Sequence, residues 1–352
     1  MTILVILSKT EYKEEDKFHA WAKELNMNLI LAREELLLRE ILKKEITGII
    51  ISNNTIYLYK KLLLVNLSIP VVFIGNDINS RKLLPHRYWI WGRKDKNIRW
   101  ALRYIYNNRF QNIFLNYGND ISEKIQVFLK NTKQESISSF IGVVFHGGFF
   151  QPMYTFDLTS ETSYALSNIW NTTIFNIEYI PWTTKNISFQ EIERKLSMLE
   201  KTLSCLNKPI IIYGHSAGSI PALILSKLLQ KKSNSYISTL LVAPFYDIED
   251  SCIVQDQEVY HYLKNIINDD YLDDLIKEQK KQNFHIIHGK KDKTISYQSS
   301  QKLMSSLSKK NNVKLHLIED LSHMNITRYE FMDKNEIKSI LQNFFYEANL
   351  KK

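Results

Sequence analysis

Cysteine is scarce in this chain, since Cys205 and Cys252 are the only two among 352 residues. Their spacing matches neither a metal-binding nor a redox motif, and no cluster of cysteine and histidine indicates a zinc site. So few thiols argue against a disulfide framework and fit a reducing compartment. We therefore expect a protein without a disulfide scaffold, without a bound metal and without any other cofactor.

Long apolar runs are also missing. No stretch reaches the roughly 20 residues that a helix needs to cross a bilayer. The short apolar run at residues 3–7 has no basic segment before it, so it predicts a first strand rather than a signal peptide. These absences predict a cytoplasmic protein with no membrane span. The chain is long enough for two domains that each have a core.

The most informative stretch that is present covers residues 210–223. Its apolar first half leads into Gly214-His215-Ser216-Ala217-Gly218, and an aliphatic helical pattern follows. This is the layout of a sharp strand-to-helix turn that exposes a serine hydroxyl, with glycines where a side chain would clash with backbone. The helix N-terminus behind the serine supplies free N–H groups for an anion. We predict Ser216 as a nucleophile and His215 as a packing or hydrogen-bonding group beside it.

A second glycine-containing turn lies earlier in the chain. Residues 141–145 are predicted to form a buried strand, and His146-Gly147-Gly148-Phe149-Phe150 follows directly. Glycines in this position let backbone N–H groups point into a pocket. The N–H of Gly148 or Phe149, together with that of Ala217, is therefore predicted to form an oxyanion hole. Taken alone, the segment fits an ordinary glycine turn better.

An acid and a base follow downstream in the order that many serine hydrolases use. The strand pattern at residues 284–288 ends in a turn that presents Asp292, and the next alternating strand pattern is followed by His323. His323 is predicted to take the proton of Ser216 as general base. Asp292 is predicted to fix the imidazole tautomer and to stabilise the imidazolium.

Three further polar residues lie near predicted strand ends. Asp247 is an alternative to Asp292 as the acid, and a loop-capping role is the other interpretation of this residue. His146 and His288 are expected to hydrogen-bond backbone at the ends of their strands rather than to take part in the chemistry.

From about residue 138 onwards these motifs resemble the α/β-hydrolase superfamily, and within it the small esterase and arylformamidase-like group. The matching segments, in chain order, are residues 146–150, 175–179, 214–218, 288–292 and 322–324. The resemblance implies an α/β-hydrolase fold, serine-hydrolase chemistry, and a substrate contact at Phe150 and His215. Phe150 stands where the group commonly has tryptophan, and residues 293–296 replace a common Val-Pro, so the shape of the acyl pocket stays open.

Residues 1–131 show a different pattern, in which strand and helix signals alternate. Strands are predicted at 3–7, 28–32, 48–51, 70–75 and 113–116, and helices at 14–25, 34–44, 56–66, 97–107 and 122–131. Such alternation predicts a doubly wound parallel sheet. Residues 48–52, 69–75 and 101–106 resemble half of a periplasmic-binding-protein-like sensor domain. The predicted organisation is an α/β domain at 1–131, a polar linker at 132–139 and the hydrolase domain at 140–352.

Positive charge is concentrated in the same region. Residues 1–137 carry 22 Lys and Arg against 14 Asp and Glu, which is +8 of the net charge of +9. The stretch 81–96 is dense in cations and aromatics, and Arg99 and Arg103 share a predicted helix face. A solvated charged face above packed aromatics is the favoured interpretation. If the surface binds a partner, an anionic substrate or a carrier protein is preferred over nucleic acid.

Residues 248–282 are predicted to be helical and acidic, at a position where α/β hydrolases often carry a lid. Their apolar face consists of Val259, Tyr262, Leu263, Ile266 and Ile267. This face fits the lining of an acyl site and fits an ordinary surface helix equally well.

The leading hypothesis is a serine hydrolase that cleaves a carboxylic ester, or an amide or peptide bond, of a small-molecule or peptide substrate through an acyl-enzyme on Ser216. An acyltransferase or thioesterase would use the same three residues. A binding or regulatory protein that retains an idle hydrolase fold is the alternative from another class.

Overall fold

The computed structural model describes residues 2–6, 15–32, 46–52, 71–74, 88–90, 101–102, 105, 113–119, 122–129, 140–151, 154–180, 188–232, 236–267 and 269–350. The chain forms two compact units, Met1–Phe110 and Gln111–Lys352. The boundary therefore falls earlier than the predicted one at residue 131, because residues 113–128 pair with the sheet of the second unit. The predicted linker at 132–139 lies outside the described residues.

The first unit contains one sheet of five parallel strands. Its elements are β1 (Thr2–Ile6), α1 (Glu15–Glu24), β2 (Asn28–Ala32), β3 (Gly48–Ser52), β4 (Val71–Ile74) and β5 (Tyr88–Ile90). The spatial order β2-β1-β3-β4-β5 places later strands on both sides of β1, as in a doubly wound sheet. The predicted parallel α/β fold of this region is confirmed.

The core of the first unit explains why its apolar strands are continuous runs. Residues 3–6 and 49–51 are fully buried, as is expected of a parallel sheet covered on both faces. On α1, Phe18 and Ala22 belong to the same buried cluster, as do the helical residues Ala101, Leu102 and Ile105.

Several predictions for this unit fall outside the described residues. They are the helices at 34–44 and 56–66, the side chains of Arg99 and Arg103, and the basic stretch 81–96 apart from residues 88–90. Residues 88–90 form β5, a strand that the sequence pattern did not predict. The recognition or partner role of the basic stretch stays a prediction.

The second unit is built on a sheet of eight strands with the order β13-β12-β11-β10-β8-β9-β7-β6. The strands are β6 (Ile113–Asn116), β7 (Lys124–Phe128), β8 (Ile141–Phe145), β9 (Thr173–Ile177), β10 (Ile210–His215), β11 (Ile237–Val242), β12 (Asn283–Gly289) and β13 (Asn312–Ile318). The pairs β6–β7 and β7–β9 are antiparallel, and all other pairs are parallel. The carboxyl ends of β8, β10, β12 and β13 therefore meet at one edge of the sheet.

Helices lie between the strands of the second unit from β8 onwards, and two more follow β13. They are α2 (Ser160–Ile169), α3 (Phe189–Ser204), α4 (Ser219–Lys232), α5 (Gln257–Ile266), α6 (Asp269–Lys277), α7 (Tyr297–Leu307), α8 (Tyr329–Met332) and α9 (Asn335–Leu350). Serine caps begin two of them, with Ser188 accepting from Glu191 N–H and Ser296 accepting from Gln298 N–H. Among the described helices, none combines the length and the apolar character that a membrane span requires.

The helix predicted at residues 122–131 is wrong, because the structure has strand β7 there. Residues 124–127 alternate between polar and apolar, β7 lies between β6 and β9 in the sheet, and all five of its residues are buried. Gln126 is buried on the polar face and accepts hydrogen bonds from Ser160 Oγ (2.9 Å) and Asn176 Nδ2 (3.0 Å). These partners come from distant parts of the chain, so a strand with two buried faces is stable despite its polar residues.

The segment at 248–282 is helical, as predicted, and includes α5 and α6. Leu263 and Ile267 on its apolar side are buried in the core of the second unit, and Val259, Tyr262 and Ile266 pack against that core. We refer to residues 248–282 as the cap segment.

Candidate active site

Ser216 occupies the turn between β10 and α4. Its φ of +55° lies in the left-handed region, which a residue other than glycine adopts only under strain. A Cβ at Gly218 would lie 2.4 Å from the carbonyl oxygen of His146 and 2.6 Å from that of Phe145. This turn therefore requires glycine at 218, and its close approach packs the turn against the end of β8.

Ser216, His323 and Asp292 form one hydrogen-bonded chain across three loops. Ser216 Oγ lies 3.0 Å from His323 Nε2, and His323 Nδ1 lies 2.7 Å from Asp292 Oδ2. Because a carboxylate only accepts hydrogen bonds, His323 Nδ1 carries the proton in the neutral ring. Nε2 is then the acceptor for the hydroxyl of Ser216, so the imidazole has the tautomer that a general base requires.

The carboxylate of Asp292 is held from both of its oxygens. Oδ1 accepts from the N–H of Thr294 (2.8 Å) and of Ile295 (3.0 Å), while Oδ2 faces both His323 and His288 Nε2, the latter at 3.2 Å. Burial raises the pKa of this carboxyl, but the hydrogen bonds from His288, His323 and Ile295 outweigh burial and hold the pKa well below its usual range. Asp292 therefore stays ionised beside His323.

The loops that carry Asp292 and His323 are joined through their backbones. The N–H of Lys290 donates to the carbonyl of Ile318 (2.8 Å), and that of Lys291 donates to the carbonyl of Leu321 (3.1 Å). The distance between the acid and the imidazole is thus set by two pairs of main-chain groups rather than by flexible side chains.

His215 holds the loop of His323 from the other side. Its Nε2 lies 3.0 Å from the carbonyl oxygen of His323 and donates to it. Burial, reinforced by the neighbouring His323, lowers the pKa of His215 to about 3. The ring is neutral, almost fully buried and bonded to backbone. This arrangement agrees with the predicted hydrogen-bonding role of His215, and its contact with substrate stays a prediction.

Residues 146–150, called here the glycine loop, run beside Ser216. A Cβ at Gly147 would lie 2.8 Å from Ser216 Cβ, so the loop and the serine are in direct proximity. The backbone then has positive φ at Gly148 (+107°), Phe149 (+52°) and Phe150 (+58°). Ala217 lies in the first turn after Ser216, where N–H groups have no partner within the helix.

Two residues that follow β9 support the beginning of the glycine loop. Tyr179 donates from its hydroxyl to the carbonyl of His146 (2.8 Å). The ring of His146 lies between the carbonyl of Gly147 (2.7 Å) and the carboxylate of Glu178 (3.2 Å). The prediction that His146 hydrogen-bonds backbone agrees with this arrangement, and the contact with Glu178 is additional.

The aromatic residues of the glycine loop have separate environments. Phe150, which the sequence predicts as a substrate contact, is fully buried, and its ring meets those of Tyr179 and Phe189 edge-on. Phe150 therefore packs in the core, and its contact with substrate stays a prediction. Phe149 is only partly buried and meets Phe245 edge-on, so it is the more accessible aromatic beside Ser216.

Asp247, the alternative acid, is engaged elsewhere. Its carboxylate accepts from the N–H of Glu249 (3.0 Å) and pairs with Lys302 (2.7 Å). It caps the short 3-10 helix at Ile248–Asp250, in agreement with the loop-capping interpretation.

Sequence reasoning missed two contacts of this region. His288 was expected to bond only backbone, yet it contacts Asp292 as well as the carbonyl of Ile295 (3.0 Å). Tyr262, noted only as part of an apolar face, donates to the carbonyl of Phe150 (2.9 Å). Within the described ranges, no group of three His, Cys, Asp or Glu side chains is arranged to hold a metal ion.

Comparisons with known proteins address the fold of this site. No protein-family model matches the sequence, and no curated protein matches it as a relative. Solved structures do match the shape of the chain. A hormone-sensitive lipase from a metagenome library has a TM-score of 0.55 at 12% identity, over 71% of this chain and 91% of that one.

Two further solved structures each match 68% of this chain. An alpha/beta hydrolase superfamily protein from Enterococcus faecalis has a TM-score of 0.51 at 14% identity, over 68% of this chain and 99% of that one. A thermostable esterase from Pseudomonas putida has a TM-score of 0.51 at 11% identity, over 68% and 82%. The predicted α/β-hydrolase fold is thereby confirmed for this part of the chain.

Proposed function

We propose that this protein is a serine hydrolase that cleaves a carboxylic ester through an acyl-enzyme on Ser216. The observation that carries the proposal is the chain from Ser216 through His323 to Asp292, at 3.0 Å and 2.7 Å. The contact with Asp292 gives His323 the tautomer that a general base requires, and the carboxylate of Asp292 is held in its ionised form. An ester is preferred because two of the structural neighbours are named as an esterase and a lipase.

In the first half of the reaction, Ser216 Oγ attacks the carbonyl carbon while His323 Nε2 accepts its proton. Asp292 stabilises the imidazolium that forms. The oxygen of the tetrahedral intermediate becomes negative and accepts from the N–H of Ala217 and from that of Gly148 or Phe149. The intermediate collapses when the carbon–oxygen bond to the alcohol breaks and His323 returns its proton to the leaving alkoxide.

In the second half, water attacks the acyl-enzyme and His323 again accepts a proton. Collapse of the second intermediate releases the carboxylic acid and restores the hydroxyl of Ser216. An alcohol, amine or thiol in place of water would give acyl transfer through the same groups, so the acceptor decides between hydrolase and transferase.

The test combines a fluorophosphonate probe with hydrolysis of p-nitrophenyl acetate. The probe forms a bond between phosphorus and the nucleophilic oxygen and releases fluoride, so it marks an activated serine. The wild-type protein is expected to be labelled and to hydrolyse the ester, and Ser216→Ala is expected to lose both. Ser219→Ala is the matched control, because Ser219 lies on the same turn but bonds the backbone of Phe245.

Labelling that survives in Ser216→Ala would show that another residue is the nucleophile. A folded wild-type protein that is neither labelled nor active would contradict the proposal and favour the alternative of a binding protein with an idle hydrolase fold. Circular dichroism of all three proteins separates loss of activity from loss of fold.

A further inference from the structure

The glycine loop has positive φ at three consecutive residues, and the two phenylalanines among them are strained. Gly148, Phe149 and Phe150 all have positive φ, and two of them carry side chains. A residue other than glycine persists in this region only where its surroundings hold it there. The loop that contains the proposed oxyanion donors therefore depends on contacts from outside itself.

Two phenols supply such contacts, one at each end of the loop. The carbonyl of His146, its first residue, accepts from Tyr179 Oη at 2.8 Å. The carbonyl of Phe150, its last residue, accepts from Tyr262 Oη at 2.9 Å. Tyr179 follows strand β9 of the central sheet, whereas Tyr262 lies on α5 of the cap segment. One end of the loop is thus fixed by the sheet and the other by the cap.

Tyr262 is suited to act as a permanent donor. It is half-buried, and burial raises the pKa of its hydroxyl to about 12, so the proton is present at every working pH. The next residue, Leu263, is fully buried in the core. Its packing fixes the position of α5 and so that of the Tyr262 side chain.

We propose that Tyr262 is a positioning residue for the oxyanion hole, through which the cap segment keeps the N–H group of Gly148 or Phe149 directed at the reacting carbonyl. The proposal rests on the serine-hydrolase function proposed above. The hydroxyl touches backbone rather than substrate, so its contribution falls on the rate of the chemical steps and not on substrate affinity. The cap segment then takes part in catalysis through this contact with the glycine loop.

The test compares Tyr262→Phe with Tyr260→Phe. Both variants remove one phenolic oxygen from α5, but the hydroxyl of Tyr260 bonds the Glu249 carboxylate (2.8 Å) and not the glycine loop. The substrate is p-nitrophenyl acetate, and a trifluoromethyl ketone serves as the inhibitor. The hemiketal that the ketone forms with the nucleophile places an oxyanion in the hole.

For Tyr262→Phe, kcat is expected to fall about 10- to 100-fold with KM changed less than about threefold, somewhat below the loss of a direct oxyanion donor. Affinity for the trifluoromethyl ketone is expected to fall by a similar factor. Tyr260→Phe is expected to keep kcat, KM and inhibitor affinity within about twofold of the wild type. Thermal unfolding of both variants is also measured. Equal Tm values would show that the fall in kcat at unchanged KM comes from the glycine loop and not from a loss of stability.

Equal kcat for the two variants would overturn the proposal. A rise in KM at unchanged kcat would also overturn it, because it would place Tyr262 in substrate binding. These results are distinct from failure of the proposed function, in which the wild-type protein itself neither is labelled nor hydrolyses the ester.

Discussion

Replacing Asp292 by asparagine tests the proposed mechanism at one atom, because the two side chains have nearly the same shape. Oδ1 of Asp292 accepts from two main-chain N–H groups, those of Thr294 and Ile295. Only the carbonyl oxygen of an asparagine can take that place, since the amide nitrogen is a donor. The nitrogen must therefore occupy the position of Oδ2, 2.7 Å from His323 Nδ1.

The consequence is a change of tautomer in His323. An amide N–H that donates to Nδ1 forces the ring proton onto Nε2, which then faces Ser216 Oγ as a donor and cannot accept its proton. In serine-protease triads the same exchange lowers kcat about 10⁴-fold. We expect a loss of that order here, which corresponds to about 5 kcal/mol of transition-state stabilisation.

The assay is the kcat for p-nitrophenyl acetate together with the rate of fluorophosphonate labelling, and Asp247→Asn is the matched control. Asp247 is the other acid that the sequence offers, but it pairs with Lys302 and caps a short 3-10 helix. Asp247→Asn is expected to stay within about threefold of the wild type. If Asp292→Asn kept more than about a tenth of the wild-type kcat, or if Asp247→Asn lost as much as Asp292→Asn, the assignment of the acid would be refuted.

Two further predictions concern stability. Gly218→Ala places a Cβ 2.4 and 2.6 Å from two backbone carbonyl oxygens, so it is expected to cost about 1–3 kcal/mol. Calorimetry should show a Tm lower by about 2–4 °C for each kcal/mol, and an unchanged Tm would contradict the close approach. Burial lowers the pKa of His285 from 6.5 to about 4. The Glu347 carboxylate raises this pKa, whereas His316 and Lys314 lower it further. The unfolded chain therefore binds the proton first, so the stability from the neutral ring is complete above pH 6.5 and is lost as the pH falls towards 4. Urea unfolding at about pH 7.5 and 4.5 measures how far the free energy of unfolding falls between the two pH values. That fall should be about 2–3 kcal/mol smaller in His285→Phe than in the wild type. Equal falls in the two proteins would refute the assignment to His285.

The regular parts of the fold were predictable because their signals are local. The strand at Asn28–Ala32 and the turn at residues 214–218 carry their pattern within a few consecutive residues. Strand β7 was missed because its polar residues are stabilised by Ser160 and Asn176, which lie far away in the chain. A short segment with alternating lysine, glutamine and apolar residues does not reveal those partners.

The candidate site divides in the same way. The order of Ser216, Asp292 and His323 is visible because each follows a recognisable strand-and-turn pattern. The contact between Tyr262 and Phe150 joins residues 112 positions apart, and it depends on how α5 packs. No local pattern encodes such a pair, so only the three-dimensional arrangement connects the cap to the glycine loop.

The position of β6 and β7 has a consequence for any attempt to isolate the second unit. A fragment that began after the polar stretch at 132–139 would lack both strands, although the sequence makes that stretch look like the natural place to cut. Strand β9 would then become the edge of the sheet and expose its main-chain donors and acceptors to other molecules. Asn176 would also lose its partner on Gln126. The shortest piece that keeps β6 and β7 in the sheet begins near Gln111, so a piece that lacks both strands is expected to self-associate through β9.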